Sequence, residues 1–360
     1  MFQILQKQPA ALDIRAGSTA TRLIQQNGLY AEQIDVIPGA AGGPKGLGLQ
    51  GLDRAIFANF LPQSPKRRTL IGSSIGSWRF ASILAWGAEK GTERLAELYT
   101  HLDFPQKAKR NEISQICAEM LQNLLADRAD KLLTDPDYHL TIISAKARHL
   151  FQSDHNLALL TSIAGIVGSN AIARKHCQYF MQRVISQPLH EQQFRVTPDD
   201  FETHYQTLNH ENLQAWLMAS ASIPGVMNAV RHIPHAPTGS YRDGGLIDYH
   251  LDLDFHSKGI VLYPHFVNQI VPGWFDKMWK SRQSNPNNQA RTLLISPSAE
   301  YLKRLPLGRL PDRKDFTLKG MTRQKRIQLW QQCIAESQRM GDEFLELQQQ
   351  QKFAERLQVL

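Results

Sequence analysis

Gly72-Ser73-Ser74-Ile75-Gly76 has the pattern GxSxG and lies between a strand-like stretch, Thr69-Leu70-Ile71, and a helical pattern through Phe80, Ile83 and Leu84. A nucleophile elbow needs that layout. The turn is so tight that the flanking positions Gly72 and Gly76 must be nearly free of side chain, and it presents the serine hydroxyl at the sheet's edge. The helix N-terminus just behind the turn favours developing negative charge. The competing reading is a turn of small residues that pack closely and do no chemistry.

A second turn, Gly39-Ala40-Ala41-Gly42-Gly43-Pro44-Lys45-Gly46, follows the apolar stretch Ile34-Asp35-Val36-Ile37. Consecutive glycines after a strand let backbone N–H groups converge on an anion, either a bound phosphate or a tetrahedral oxyanion. As a P-loop the segment fails, because GxxxxGK[ST] requires glycine at Pro44 and a hydroxyl at Gly46. A literal GxGxxG at Gly46, Gly48 and Gly51 lies inside a helical pattern. No acidic residue follows it at the distance a dinucleotide ribose needs, which excludes that reading. Asp243-Gly244-Gly245, after a loop rich in proline and glycine, reads by itself as a hairpin turn.

These turns need a framework. Strand, glycine turn, helix, strand, glycine turn, helix predicts a parallel sheet with helices on both faces, an α/β fold arranged as a three-layer α/β/α sandwich. The helical pattern through Leu49, Leu52, Ile56, Phe57 and Phe60 ends at Pro62 and Pro65. Helices fill about 92–134, and further strands are expected at Leu140–Ser144, Gly259–Tyr263 and Thr292–Ile295. The last forty residues change character: Ile327, Trp330, Ile334, Met340, Phe344 and Leu347 recur at near-helical spacing among glutamines, as in an amphipathic helix. Whether it docks on its own domain or on a partner is open, so the oligomeric state is open too. The organisation expected is a catalytic domain over 1–298, then a basic segment and the C-terminal helix over 299–360.

At 360 residues, 42% hydrophobic and 21% charged, the composition excludes collagen-like, disordered and disulfide-scaffold classes. Cys117, Cys177 and Cys333 are far apart with no CxxC, which argues against a disulfide framework or a zinc site. The start, MFQILQKQPAALDIRAG, lacks the regions of a signal peptide. No stretch reaches the ~18–20 apolar residues of a membrane span. The longest apolar run, Leu157 to Val167, has the length of a buried helix, with a lipid-facing surface as the alternative. A cytoplasmic location, peripheral on membranes, is the expectation.

The formal charge of +8 is concentrated. Between Lys303 and Arg326 nine Lys/Arg stand against Asp312 and Asp315, a local charge of +7. Such a block is a solvated face or a site for phosphate-bearing partners, and it lacks any recognisable nucleic-acid motif. The stretch 271–282, with Trp274, Phe275, Met278 and Trp279 among lysines, has the composition of an interface-seating segment or of a helix end packed inward. With 303–326 it forms an expected contact with an anionic membrane surface.

Taken together, the motifs resemble the patatin-like phospholipases, serine lipid acyl hydrolases with a Ser–Asp dyad. The family's ordered set is a GGGx[KR]G loop, GxSxG some 30–40 residues later and DG[GA] well downstream. Here Ala41-Gly42-Gly43-Pro44-Lys45-Gly46, Gly72–Gly76 and Asp243-Gly244-Gly245 fall in that order. A small-residue, Ile-Pro stretch, Ala219-Ser220-Ala221-Ser222-Ile223-Pro224-Gly225-Val226, precedes the Asp turn as in the family. The resemblance covers about Ile34 to Leu253. It implies Ser74 as nucleophile, Asp243 as its base, Gly42 and Gly43 as oxyanion donors, and Lys45 bordering their loop. It implies an acyl-enzyme on Ser74, an ester of a phospholipid or lysophospholipid as substrate, and no metal or cofactor.

The sequence departs from the pattern at Ala41, which replaces the first glycine, and at Ser77-Trp78-Arg79, where Trp78 is bulky enough to shape or shorten an acyl pocket. These departures support a lipid-binding protein on a scaffold without turnover as the alternative. A Ser-His-Asp triad is the rival within enzymes, since His250, His256 and His265 follow Asp243 among thirteen histidines. Too few strands precede Ser74 for the usual α/β-hydrolase order. His232-x-x-His235 lacks a carboxylate partner at metal spacing.

Overall fold

The computed structural model describes residues 9–105, 107–189 and 193–360. Residues 1–8 of the start read for export signals lie outside the described residues.

One sheet contains β1 (Leu12–Ala16), β2 (Ile34–Gly39), β3 (Arg68–Ser73), β4 (Tyr138–Ala147), β5 (Met181–Pro188), β6 (Thr203–Leu208), β7 (Tyr241–Asp243), β8 (Ile260–Pro264), β9 (Thr292–Pro297) and β10 (Leu357–Val359). The order is β10-β1-β9-β8-β2-β3-β4-β5-β6, with β7 attached to β4 off that path. From β9 through β8, β2 and β3 to β4 every neighbour is parallel. Antiparallel pairs occur at β1–β9, β4–β5 and β4–β7. The central strands are buried on both faces, which is why they read as continuous Ile/Val/Leu runs rather than as alternation.

The helices are α1 (Ser18–Asn27), α2 (Gln50–Arg54), α3 (Ile75–Trp86), α4 (Ala88–Thr100), α5 (Arg110–Leu125), α6 (Ala129–Thr134), α7 (Asn156–Ile172), α8 (Leu213–Ala221), α9 (Ala299–Arg304), α10 (Arg323–Glu336), α11 (Gln338–Gln349) and α12 (Phe353–Arg356). Strand residues Ile37, Leu70, Ile142 and Leu262 join the core shared with α2, α3, α5 and α8. Their neighbours Val36, Ile71, Ile143 and Val261 face the other way, against Phe194, Leu251, Leu253 and Phe255. On that second face Ala145, Ala147 and Met181 meet Leu159 and Ile166 of α7. The expected α/β fold with a mainly parallel sheet between layers is the one observed.

Two expectations change in detail. The Leu157–Val167 run lies within α7 but is buried along one side only: Leu159, Ser162, Ile166 and Asn170 are inside, while Leu157 and Leu160 are each 67% exposed. The C-terminal helices do not form a segment apart. Trp330, Met340, Phe344 and Phe353 share the main core, and β10 adds a parallel strand beside β1. A Cβ at Gly51 would lie 2.2 Å from the Ser337 carbonyl oxygen, one at Gly48 2.5 Å from Leu310 and one at Gly46 3.0 Å from Ile75, so the glycines of the 46–51 pattern serve close packing against three different neighbours. The basic block is likewise partly internal. Arg326 is buried, with its guanidinium donating to the Thr100 and Leu102 carbonyls, and Arg309 pairs with Asp315.

Candidate active site

Strand β3 ends at Ser73, α3 begins at Ile75, and Ser74 between them has φ 56° and ψ −126°. A non-glycine residue held there costs of order 1–3 kcal/mol and persists only when its surroundings over-determine it. They do. The Ser74 N–H donates to Ser220 Oγ at 2.9 Å, and Ser220 Oγ–H donates to the Ile143 carbonyl at 2.6 Å. Ser77 Oγ–H donates to the Ser74 carbonyl at 2.7 Å. The flanking glycines are required by space: a Cβ at Gly76 would lie 1.9 Å from the Gly39 carbonyl oxygen, and one at Gly72 would lie 2.4 Å from the Ser77 nitrogen.

Strand β7 brings the third motif to the elbow by pairing Asp243 opposite Ser144 of β4. Ser74 Oγ–H donates to Asp243 Oδ2 at 2.9 Å, and the Gly245 N–H donates to Oδ1 at 2.7 Å. The Asp243 N–H is anchored on the Ser222 carbonyl at 3.0 Å. Ser220 and Ser222 therefore hold one member of the pair each, by side chain and by backbone. Ser74 is 6% exposed and Asp243 7%. Burial pushes the Asp243 carboxyl up to about 6; the Gly245 N–H, the Ser74 hydroxyl and the cations Arg313 and Lys277 hold it from rising further. At neutral pH it is ionised yet far more basic than a surface carboxylate, a state suited to taking a proton from serine.

The glycine turn packs against both partners. A Cβ at Gly46 would lie 3.0 Å from Ile75, and one at Gly245 would lie 2.7 Å from the Ala41 Cβ. Gly43 has φ 57°, a conformation that needs glycine. Ala41 is not in that region, and its N–H donates to the Tyr249 carbonyl at 2.9 Å, so alanine fits where the motif has glycine. The N–H groups of Gly42 and Gly43 have no acceptor among the described residues, and Pro44 has no N–H to offer. Lys45 sits 3.6 Å from Asp312 and over the Phe266 ring. Trp78 is buried, with its indole N–H donating to the Leu217 carbonyl at 2.9 Å, and it packs α3 onto α8.

Two cations near the dyad came from the segments read as membrane-facing. The side chain of Arg313 lies against Gly43, 3.3 Å from where a Cβ would be. The Lys277 ammonium lies 3.6 Å from the Tyr249 ring centroid. Desolvation, with the nearby charges of Lys45 and Arg313, lowers the Lys277 ammonium to about 7. Among the described residues neither Lys277 nor Arg313 has a carboxylate within ion-pair distance. Nothing local in the sequence tied residues 277 and 313 to Ser74. The Ala-Ser-Ala-Ser stretch was the available signal for Ser220 and Ser222.

No histidine among the described residues bonds Ser74 or Asp243. His250 accepts from the Val271 N–H, His265 contacts the backbone of Val267, and His256 lies by Asp254 and Thr197. His235 pairs with Glu211 at 2.7 Å on the surface. No group of three metal-ligating side chains occurs among the described residues. Clefts of about 450 and 350 Å³ open elsewhere, one around Phe57, Leu84 and Tyr138, the other around Gln50, Glu97 and Gln338. Neither is lined by the dyad or the 42–45 loop; the second holds the Arg54–Glu93 ion pair. No protein-family profile and no curated protein matches this sequence.

Proposed function

We propose that this protein is a serine acyl hydrolase of the patatin-like kind, cleaving carboxylic esters of phospholipids or lysophospholipids. The observation that carries the reading is the 2.9 Å hydrogen bond from Ser74 Oγ, on a strained elbow, to the buried Asp243 carboxylate. In the reaction, Asp243 takes the hydroxyl proton as Oγ adds to the ester carbonyl. The Gly42 and Gly43 N–H groups receive the oxyanion, at roughly 2.7–4 kcal/mol of barrier per donor. Collapse expels the alcohol, which leaves with the proton held on Asp243, and the acyl group stays on Ser74. A water then attacks the acyl-enzyme with Asp243 again as base, releasing the carboxylic acid and restoring the serine. Every step uses groups of this chain and water.

The choice of a phosphate-bearing ester rests on Lys277 and Arg313, cations without carboxylate partners among the described residues that act on Asp243. A neutral glyceride gives them nothing to bind, whereas a phosphodiester beside the scissile ester satisfies both. The test is labelling by a serine-directed phosphonate with peptide mapping. Label on Ser74 that is absent in Ser74→Ala and collapses in folded Asp243→Asn supports the dyad. A folded native protein that takes no label refutes it.

A further inference from the structure

Helix α7 has no Asp, Glu, Lys or Arg between Asn156 and Ile172. One side is packed: Leu159 and Ile166 join Leu246 and Ile247, the residues just after the Asp243 turn. The opposite side presents Leu157, Leu160, Thr161, Ala164, Gly168 and Ala171 to solvent, with Leu157 and Leu160 two-thirds exposed. A Cβ at Gly168 would meet nothing within 4 Å, so the face is open as well as apolar. Lone exposed leucines need no explanation, but an uncharged helix face several turns long does.

The 271–282 segment is tied to the same helix. Asn170 Nδ2 donates to Asp276 Oδ1 at 3.0 Å, and the Arg282 guanidinium donates to the Asn170 carbonyl at 2.9 Å. Trp274, Met278 and Trp279 of that segment are exposed, at 39%, 52% and 36%. Charge on the two segments has one sign where it is free. Lys175 and Lys280 are exposed, whereas Asp276 is buried and Asp154 is held by Arg231 and Arg242.

We propose that the outward face of α7, with Trp274, Met278 and Trp279 at its side, seats this protein on an anionic lipid bilayer. With 17 residues the helix is about 25 Å long. That is shorter than the ~30 Å hydrocarbon core, and its other side is already packed, so it lies in the interface plane rather than across it. Aromatic and sulfur side chains suit the headgroup boundary, and free lysines without exposed acids suit anionic lipid over a protein partner of mixed charge. Seating through α7 sets Asp243 close beneath the membrane, because the buried side of the helix rests on residues 246 and 247. This inference adds a membrane face to the hydrolase reading but does not depend on it, since binding is measured without turnover.

The experiment is co-sedimentation of the full chain with phosphatidylcholine vesicles and with mixed phosphatidylcholine–phosphatidylglycerol vesicles. The native protein is expected to partition preferentially onto the mixed vesicles. Leu157→Glu/Leu160→Glu, both at exposed sites, is expected to lower that partition by about tenfold or more while leaving the thermal midpoint unchanged. Lys175→Gln and Lys280→Gln are each expected to lower it about fivefold. Val359→Glu, an exposed control on β10, is expected to change nothing. Binding by the double variant equal to native overturns the proposal. So does absence of vesicle binding together with a concentration-dependent dimer that the double variant abolishes, which assigns the face to a second copy. Cleavage of a soluble short-chain ester is expected to be equal in native and double-variant protein. If native protein fails that assay, the hydrolase reading fails and the membrane face stands or falls on sedimentation alone.

Discussion

Replacing Asp243 by asparagine should stabilise the folded protein at neutral pH while abolishing its chemistry. Burial raises the Asp243 carboxyl from its ordinary 3.8 to about 6. The folded state therefore binds this proton more tightly than the unfolded chain does, so between about pH 4 and pH 6 stability falls as pH rises and is flat above. A shift of about two units corresponds to roughly 3 kcal/mol of destabilisation at neutral pH, at about 1.36 kcal/mol per unit. Asparagine carries no charge and escapes this penalty. The hydrogen bonds from the Gly245 N–H and the Ser74 hydroxyl are already part of what sets the carboxyl near 6, so nothing further is subtracted for them. The net gain expected is about 2–3 kcal/mol at about pH 8, falling to about half a kcal/mol near pH 4. For a chain of this length it appears as a rise of about 3–4 °C in Tm, since the unfolding entropy is about 2 cal/mol/K per residue. The assay is urea and thermal unfolding of both proteins at three pH values, with phosphonate labelling in parallel. An equal stability difference at both ends of the range refutes the argument that a buried ionised carboxylate sits at the site, and so does a variant less stable at alkaline pH.

Three further outcomes follow from the same geometry. Arg313→Ala removes a cation that favours the Asp243 carboxylate, so the acid limb of the labelling rate, expected near pH 6, should move to higher pH; a limb that stays or moves to lower pH contradicts the placement of Arg313. Gly76→Ala puts a Cβ 1.9 Å from the Gly39 carbonyl oxygen, so it should both destabilise the fold and abolish Ser74 labelling, measured by unfolding and peptide mapping. Arg79→Leu strands Asp53, whose carboxylate is buried against the guanidinium at 2.9 Å from Nε. It should cost about 3–5 kcal/mol in urea unfolding, most of it recovered by adding Asp53→Leu, whereas a double variant as unstable as the single one rejects the stranded-charge account.

The parallel core could be read from sequence because its strands carry their reason for burial locally: β2 and β3 are apolar runs closed by glycine. β5 could not. All eight residues Met181–Pro188 are buried although they include Gln182, Arg183, Ser186 and Gln187. Arg183 is tolerated because Asp199 and Asp248 meet it at 2.7 and 2.6 Å, and Gln187 because it bonds the Phe194 backbone in both directions. Those partners lie outside any local window. β6 is a half-exposed edge strand of mixed polarity, and β7 and β10 are three residues each, too short for a period. Glycine was misleading in one place: between Gly46 and Gly51 it mimics a nucleotide fingerprint, but its cause is close packing, of Gly46 on Ile75, of Gly48 on Leu310 and of Gly51 on the backbone at Ser337.

The dyad's parts were legible for the opposite reason. A serine at positive φ between two glycines, a glycine at positive φ in the neighbouring turn and an aspartate followed by two glycines are each demanded by backbone geometry within a few residues, so spacing alone records them. What tunes the pair is recorded locally only in part, in the Gly245 N–H. The charge that restrains Asp243 arrives from Lys277 and Arg313, more than thirty and about seventy residues downstream. In sequence these belong to two cationic stretches with an obvious surface explanation. In the fold the stretches divide their labour. Arg309 and Arg326 satisfy internal acceptors, Arg313 and Lys277 turn toward the 42–45 loop and Asp243, and Lys175 and Lys280 stay outside beside α7. A net charge of +8 is thus no measure of how basic the surface is, because part of it is spent on internal acceptors, as at the buried Arg326. Neutralising the exposed lysines and neutralising Arg313 should therefore have separable effects: the first on partition to lipid with the acid limb unmoved, the second on the acid limb with partition unmoved.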